Sequence, residues 1–325
     1  MAHEIDTTTG RAAMAFTGSR DKIWHGLGEE LSDGASIEEW QVAAGMEWEV
    51  KSSEVTYSIP GDGPLFIPDV RQFQDRRVLY RSDTRSALSV VSSDFKVVQP
   101  KEVLEFFRDL VERHDMKLST AGCLFGGKRF WALAELGKEF EVTSGDVVKG
   151  HLLLTTAVDG SLNTTAKFVS ERVVCNNTLT IAMGEKNGNL VKVSHRSKWD
   201  PDQVKMDLGL IDSSWYEFIA NMKKLAETKI SVKGAYDFYS DLLFPEEKAM
   251  SKLQVRKVEK LMELFVNGQG AEMSRGSLWG VVNGVTELYT HGSGRRDPSH
   301  QFTDSYYGNG ASVKDLALSK ALALV

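Results

Sequence analysis

Residues 151–157, HLLLTTA, are followed by DGS (159–161) and TTAKFV (164–169), and this stretch is the clearest indication of the fold. Both flanking runs are short, apolar and rich in β-branched residues, and the Asp-Gly pair between them suits a tight turn. The stretch therefore predicts two antiparallel strands joined as a hairpin. A second hairpin is predicted from Lys117 to Cys123 and from Arg129 to Leu136, turning at Gly126-Gly127-Lys128.

Further strands are predicted on the N-terminal side of these hairpins. Residues Trp48 to Ile59 roughly alternate polar and apolar side chains and end at a Pro- and Gly-rich turn, and shorter strands are expected at 78–80 and 88–91. Ser36-Ile37-Glu38-Glu39 matches a capping box and predicts a short helix. Pro100 begins another helix, whose apolar residues recur at the spacing of one buried face.

After residue 200 the pattern changes to nearly continuous helix. Asp200 and Pro201 form a helix start, and a seam of apolar residues follows at alternating steps of four and three: Val204, Leu208, Ile211, Trp215, Phe218, Met222 and Leu225. This seam fits either a dimer contact or a helix docked on its own sheet. Further helices are predicted over 235–243, 245–266, 278–289 and 312–325.

Together these elements predict an α+β fold, with a mainly antiparallel sheet, packed helices and a helical C-terminal portion. Residues 1–23 are expected to form a flexible N-terminal arm, residues 24–199 the α+β sheet core, and residues 200–325 a helical portion that packs on the core.

The composition excludes several classes of protein. The chain has 325 residues, of which 42% are hydrophobic and 26% charged, with only two cysteines, so disorder and a disulfide scaffold are excluded. The formal net charge of −6 argues against a uniformly basic surface, but a local basic groove remains compatible with it. The polar N-terminus lacks the features of a secretory signal, and no apolar run approaches the roughly 18 residues of a membrane helix. We therefore expect a cytoplasmic protein that does not contact membranes.

Motifs for catalysis, metals and nucleotides are weak. Residues 122–129, GCLFGGKR, nearly match a phosphate-binding P-loop, but Arg129 replaces the required Ser or Thr and a strand pattern follows in place of a helix. The seven histidines form no metal-binding spacing, and no nucleophile elbow occurs. We therefore predict no catalytic residue, no metal and no cofactor.

Basic residues interleaved with aromatic ones are the more informative signal, because cations hold phosphates while rings stack on bases. Three stretches show this mixture, although each also fits an ordinary solvated surface. The first contains Arg71, Phe73, Arg76, Arg77, Tyr80, Arg81 and Arg85; the second Lys167, Phe168, Arg172, Lys192, His195, Arg196, Lys198 and Trp199; the third is the loop from Gly292 to Gly310, with Arg295, Arg296, His300, Phe302, Tyr306 and Tyr307.

The segment RVVCNNTLT (172–180) places two adjacent asparagines in an otherwise apolar element. If it is helical, Arg172 and Asn176 lie on one polar stripe that could contact phosphates or base edges. Alternatively, the asparagines bond to neighbouring backbone where sheet and helix meet.

The order of segments resembles a family of phage- and plasmid-related proteins grouped as domain of unknown function 932. The resemblance runs from WHGLG (24–28) through RSD (81–83), the Gly126-Gly127 turn and DGS (159–161) to RVVCNNTL (172–179), which is its most specific piece, and continues to the region around Lys314. It implies a mobile-element context and no reaction or cofactor. Such elements commonly carry non-catalytic DNA-handling proteins, including single-strand annealing proteins.

The leading hypothesis is a non-enzymatic DNA-binding protein of phage or plasmid metabolism that promotes single-strand annealing or recombination as a homo-oligomer. The residues expected to contact nucleic acid are Arg76, Arg77, Arg81, Lys128, Arg129, Lys167, Arg172, Asn176, Arg196 and Lys198, with Tyr80, Trp131, Trp199 and Phe302 stacking on bases. One alternative is an enzyme or small-ligand binder with a pocket between sheet and C-terminal helices, lined by Asp83, Asp159, Asn176 and His195. Another is a factor that acts on a host protein.

Overall fold

The computed structural model describes residues 4–18, 27–60, 69–113, 116–172, 177–180, 190–207, 211–245, 250–292 and 301–325. The strands are β1 (Met14–Thr17), β2 (Glu29–Leu31), β3 (Val50–Ile59), β4 (Asp69–Arg81), β5 (Ala87–Ser92), β6 (Lys117–Leu124), β7 (Arg129–Glu141), β8 (Val147–Ala157), β9 (Thr164–Arg172), β10 (Asn177–Thr180) and β11 (Leu190–Val193). The helices are α1 (Ile37–Ala43), α2 (Pro100–Arg113), α3 (Pro201–Asp207), α4 (Ile211–Glu227), α5 (Val232–Leu243), α6 (Lys252–Asn267), α7 (Ala271–Ser274), α8 (Leu278–His291), α9 (Gln301–Tyr307) and α10 (Asn309–Leu322).

Two sheets form the frame of the molecule. The larger one has eight strands in the order β10-β9-β8-β7-β6-β1-β2, with β11 also paired to β9, and the smaller one has the order β3-β4-β5. Among the described strands, only β1 and β2 pair in parallel. The predicted α+β fold with a mainly antiparallel sheet is therefore confirmed.

Both predicted hairpins of the large sheet are present. Strands β8 and β9 pair from Val148 and Arg172 to Thr155 and Thr165, and β6 pairs with β7 across the glycine turn. Gly126 and Gly127 have φ angles of 69° and 88°, which a residue with a side chain adopts only with strain. The local turn chemistry thus explains why each chain reversal falls where it does.

Part of the predicted N-terminal arm belongs to the large sheet. Residues Met14–Thr17 form β1, which lies between β6 and β2, and Phe16 is fully buried. The backbone N–H of Cys123 also donates to the carbonyl of Ala13 at 2.9 Å. The expectation of a flexible arm is therefore wrong for this stretch, because the pairing partner in β6 is about a hundred residues away in sequence and leaves no local signal.

The apolar core lies on both faces of the large sheet. One face carries the larger cluster, which includes Phe130 and Leu154 and is covered by helices. The opposite face carries a smaller cluster with Trp131 and Leu153, packed against the N-terminal segment and against Tyr306 and Tyr307 of α9. The second face is therefore covered by the N-terminal segment and by α9.

The helical portion docks on the sheet through the apolar seam predicted after residue 200. Trp215 and Phe218 of α4 contact Phe140 of β7 at ring-centroid distances of 5.5 and 6.0 Å. Both side chains are at most 5% exposed. These contacts match the intramolecular alternative, in which the seam packs on the chain's own sheet. Residues 208–210 of the predicted continuous helix lie outside the described residues.

Two helix boundaries differ from the sequence predictions. Helix α6 begins at Lys252, where Ser251 and Gln254 form a capping box, whereas the sequence placed its start near residue 245. The expected loop from 292 to 310 contains α9 and the start of α10, because Tyr306 and Tyr307 pack on the sheet and stabilise a helix that local propensity does not predict. Among the described residues, no helix has the length and apolar character needed to cross a membrane.

Candidate nucleic-acid interface

His195 lies where three segments of the chain meet. Its Nδ1 is 3.0 Å from the carbonyl oxygen of Lys96, and its Nε2 is 2.9 Å from that of Leu162. The imidazole also stacks on Phe95 at a centroid distance of 4.3 Å. Since these residues follow β11, β5 and β8 respectively, the contacts of one buried ring hold three connecting segments together.

Two further contacts bring other segments to the same place. The guanidinium Nη2 of Arg77, in β4, donates a hydrogen bond to the carbonyl of Phe95. In the β8–β9 turn, the N–H of Val158 donates to the carbonyl of Lys128 at 2.8 Å. The carbonyl of Val158 accepts a hydrogen bond from Ser89 Oγ at 2.6 Å. The small sheet and the β6–β7 turn therefore adjoin the His195 junction.

Four of the cations predicted from the sequence lie within three residues of these contacts and reach solvent. Arg76, Arg196 and Lys198 are exposed, and Lys128 is half-buried. Lys96, which sequence reasoning did not select, is exposed beside them. We call these five residues the cationic edge. These residues come from four separate segments of the chain: β4, the segment after β5, the β6–β7 turn and the segment after β11.

Acidic residues are interspersed with the cationic edge. Asp75 and Asp94 are exposed on the small-sheet side, and Asp159 is exposed in the β8–β9 turn, where it accepts a hydrogen bond from Ser161 N–H at 2.9 Å. The mixture weakens the long-range field of the edge. Any contact with phosphates would therefore depend on close approach and would be sensitive to salt.

Arg81 is not part of this surface, contrary to the sequence prediction. Its side chain is 1% exposed, pairs with the carboxylates of Asp6 and Asp83, and lies 4.1 Å from the centroid of the Trp48 ring. The hydrogen bond from Arg81 holds the pKa of Asp83 below its ordinary value. Because its own side chain is buried and pairs within the chain, Arg81 joins the N-terminal segment to β4 and is not exposed to a ligand.

Arg172 is also buried, with 2% of its side chain exposed. It forms a two-pronged ion pair with Asp146, with distances of 2.5 and 2.8 Å, and donates to the carbonyl of Gly270 at 2.8 Å. Asp146 is fully buried and also accepts from Trp279 Nε1 at 2.9 Å. The helical interpretation of the surrounding segment is wrong where the structure describes it, because Arg172 ends strand β9 and residues 177–180 form β10. Arg172 therefore links the sheet to the helical portion.

Arg129 and Trp131, on β7, are likewise internal. Arg129 is 7% exposed, donates to Ser161 Oγ at 3.1 Å and lies over the Phe125 ring at 5.2 Å. Trp131 is 3% exposed, and its Nε1 donates to Thr120 Oγ1 at 3.3 Å. Neither side chain is placed to stack on a base or to neutralise a phosphate at the surface.

Lys167 is buried on the second face of the large sheet. Its Nζ donates to the carbonyl of Tyr306 and lies 4.6 Å from the centroid of the Tyr307 ring. Burial lowers the pKa of Lys167 to about 8. The hydroxyl of Tyr307 hydrogen-bonds to Thr155 Oγ1, and burial raises the pKa of this tyrosine. Lys167 therefore holds α9 against the sheet. Its partners Tyr306 and Tyr307 lie in the segment that the sequence predicted as a loop.

Lys314 on α10 forms a second buried amine beside Lys167. Its Nζ donates to Ser305 Oγ at 2.9 Å and lies 3.4 Å from Thr290 Oγ1. Burial, together with the nearby charge of Lys167, lowers the pKa of Lys314 to about 7. The two lysines and Tyr306 form the buried lysine cluster, which sequence reasoning missed because its members come from β9, α9 and α10.

The predicted stacking residues are divided among different environments. Tyr80 is half-buried, and Trp199 is half-buried against Phe106 with ring centroids 5.9 Å apart. Phe302 lies in α9, but its side chain is outside the described residues. The aromatic side chains most open to solvent on the neighbouring small sheet are Tyr57 and Phe73, each 47% exposed.

The described polar residues proposed for an enzyme pocket form hydrogen bonds or ion pairs with other groups of the chain and do not line a common pocket. Asp83 pairs with Arg81, Asp159 stabilises its own turn, and His195 bridges two carbonyls. Asn176 lies outside the described residues. Within the described part of the chain, no group of three or more His, Cys, Asp or Glu side chains could hold a metal ion.

Comparison with known proteins yields one family match. A family model described as a domain of unknown function (DUF932) matches residues 87–307, which is more than half of the chain. This range begins at β5 and ends at α9, so it includes the His195 junction and the Arg172–Asp146 pair. No curated protein and no solved structure matches the chain.

Proposed function

Because this chain belongs to the family of unknown function DUF932, which brings no activity with it, we propose a function from the site itself. The protein is a non-enzymatic, single-stranded nucleic-acid-binding protein of phage or plasmid DNA metabolism. It acts in the cytoplasm, where it promotes annealing or recombination. The phage and plasmid context rests on the resemblance noted in the sequence, and the binding surface is the cationic edge.

The observation that supports this proposal is that Arg76, Lys128, Arg196 and Lys198 all lie within three residues of the contacts that join the connecting segments around His195. These four residues reach solvent, whereas the buried Arg81 and Arg172 are already paired with carboxylates. Exposed Lys and Arg side chains can neutralise successive phosphates of a nucleic-acid backbone without a deep groove.

The direct test is fluorescence anisotropy of a labelled single-stranded oligonucleotide titrated with protein at low and moderate salt, with unlabelled duplex as competitor. We expect saturable binding that weakens steeply with salt and resists the duplex. Absence of binding at low salt would contradict the proposal.

Variants of two exposed residues test the location of the surface. Arg196→Gln combined with Lys198→Gln should weaken binding and reduce the slope of log affinity against log salt by about 0.7 for each phosphate that the variant no longer neutralises. The matched control is Arg256→Gln with Lys257→Gln, which removes the same two charges from exposed positions on α6 and should change nothing. Equal affinities for the two double variants would show that the cationic edge is not the binding site.

The buried lysine cluster supports a second candidate, a ligand-binding or enzymatic role between the sheet and the C-terminal helices. Lys167 and Lys314 are buried amines with lowered pKa values, and such amines form imines with carbonyl compounds. Incubation with pyridoxal phosphate, borohydride reduction and peptide mass analysis would detect an adduct. Selective labelling of either lysine would favour this role, and labelling confined to exposed lysines would leave the cluster a structural one.

A further inference from the structure

The outer part of the β3–β4 hairpin extends beyond the rest of the small sheet. Residues Val55–Ile59 of β3 pair with Asp69–Phe73 of β4, and a bulge after Glu54 separates this part from the inner pairing. Strand β5 pairs with β4 only between Arg76 and Tyr80, so the outer part has two strands. We call these ten residues the distal ribbon.

One face of the distal ribbon has the composition of a buried surface. Val55, Tyr57 and Ile59 alternate with Thr56 and Ser58, and Phe73 stands opposite Val55 on the same face. This alternation is typical of a strand with one face in a protein core. Nevertheless Tyr57 and Phe73 are 47% exposed and Ile59 is 37% exposed. The face therefore has the residue pattern of a buried surface but is exposed to solvent in the single chain.

Among the described strands, none pairs with the outer edges of the distal ribbon. Strand β3 is an edge strand of the small sheet, and its ten residues make it one of the longer strands of the protein. A two-stranded antiparallel ribbon is only marginally stable in water without a third strand or a packing partner. Long edges without protection are surfaces on which another chain readily pairs. A partner chain bound to the ribbon would both supply the missing packing contact and cover the strand edges.

The charges on the apolar face identify the partner. Asp69 and Arg71 lie on this face, opposite Ile59 and Tyr57, and pair with each other at 2.8 Å. The ribbon is therefore electrically neutral and offers no attraction to a polyanion. In a two-fold arrangement, in which identical surfaces face each other, Asp69 of each copy can pair with Arg71 of the other.

We propose that the distal ribbon is the surface through which two copies of this chain associate. The apolar faces pack on each other, with Tyr57 and Phe73 at the centre and the Asp69 and Arg71 side chains pairing between copies. Aromatic residues at the centre of an interface commonly supply most of its binding energy. This association needs no nucleic acid, so it stands independently of the function proposed for the cationic edge.

The test is the molar mass of the full chain, measured by sedimentation equilibrium over a wide concentration range without nucleic acid. The wild type should show a concentration-dependent dimer or a larger assembly built from it. Tyr57→Glu and Phe73→Glu should each raise the dissociation constant by about tenfold or more. Thr56→Glu places the same charge on the opposite face of the ribbon and should leave the mass unchanged.

A charge exchange tests the two-fold pairing. Asp69→Arg places like charges opposite each other and should dissociate the assembly, whereas Asp69→Arg combined with Arg71→Asp restores opposite charges and should restore the mass. All substituted side chains are at least one-third exposed, so unchanged melting temperatures would verify that each variant is folded. A wild type that is monomeric throughout would overturn the proposal. So would Tyr57 and Phe73 variants that keep their mass but lose oligonucleotide binding, because the ribbon would then be a base-stacking platform.

Discussion

Replacing Arg172 by Met should destabilise the fold strongly, because it removes one partner of a fully buried ion pair. Asp146 would lose two charge-assisted hydrogen bonds and, among the described side chains, keep the one from Trp279. Such bonds contribute about 1.5–3 kcal/mol each, and breaking a buried pair on one side costs about 3–5 kcal/mol. The carbonyl of Gly270 also loses its donor. We expect a loss of about 3–5 kcal/mol in the free energy of unfolding.

The assay is urea unfolding followed by tryptophan fluorescence, supported by calorimetry. At about 2 °C per kcal/mol for a large domain, the melting temperature should fall by roughly 6–10 °C. The double variant Arg172→Met with Asp146→Leu removes both charges, and it should recover much of the loss, because well-packed apolar side chains often replace a buried pair with little cost. The matched control, Arg196→Met, changes an exposed arginine and should alter stability by about 0.5 kcal/mol or less.

The opposite pattern would refute this reasoning. If Arg172→Met unfolds within about 1 kcal/mol of the wild type but no longer binds oligonucleotide, the side chain acts at a ligand surface and not as an internal anchor. If the double variant is no more stable than the single one, the charge of Asp146 is not the source of the loss.

Two further outcomes follow from buried positions. The pKa values of Lys167 and Lys314, about 8 and about 7, lie below the ordinary lysine value, so the unfolded chain binds more protons between about pH 7 and 10. The free energy of unfolding should therefore rise with pH across this window, by up to about 1.4 kcal/mol per pH unit for each lysine. The variant Lys314→Met should show a smaller rise. A wild type whose free energy of unfolding does not change with pH would contradict the burial of both amines. Gly122→Ala should cost about 1–3 kcal/mol in chemical denaturation, because its Cβ would collide with the Trp131 ring and with the backbone carbonyl of Ala13. An unchanged midpoint would show that both neighbours can shift without cost.

The local elements of the fold could be predicted from the residues alone. Alternating apolar residues and the turns at Gly126-Gly127 and Asp159-Gly160 predicted the hairpins of the large sheet, because turn type depends on residues adjacent in the chain. The Ser36 capping box predicted α1 for the same reason, since a cap and its helix are within one turn of each other. The change from strand to helix after residue 200 was also readable, as helix periodicity extends over many residues.

Which charged and aromatic side chains face the solvent depends on tertiary packing and could not be predicted in this way. Arg81 and Arg172 look like surface cations in the sequence, but their carboxylate partners Asp6 and Asp146 are 75 and 26 residues away, and burial depends on that pairing. In the same way, the contacts of His195 join the segments of Lys96 and Leu162, which are 99 and 33 residues away from it in sequence. A local pattern specifies the residue types at a surface, whereas the long-range packing of the chain selects the ones that remain accessible.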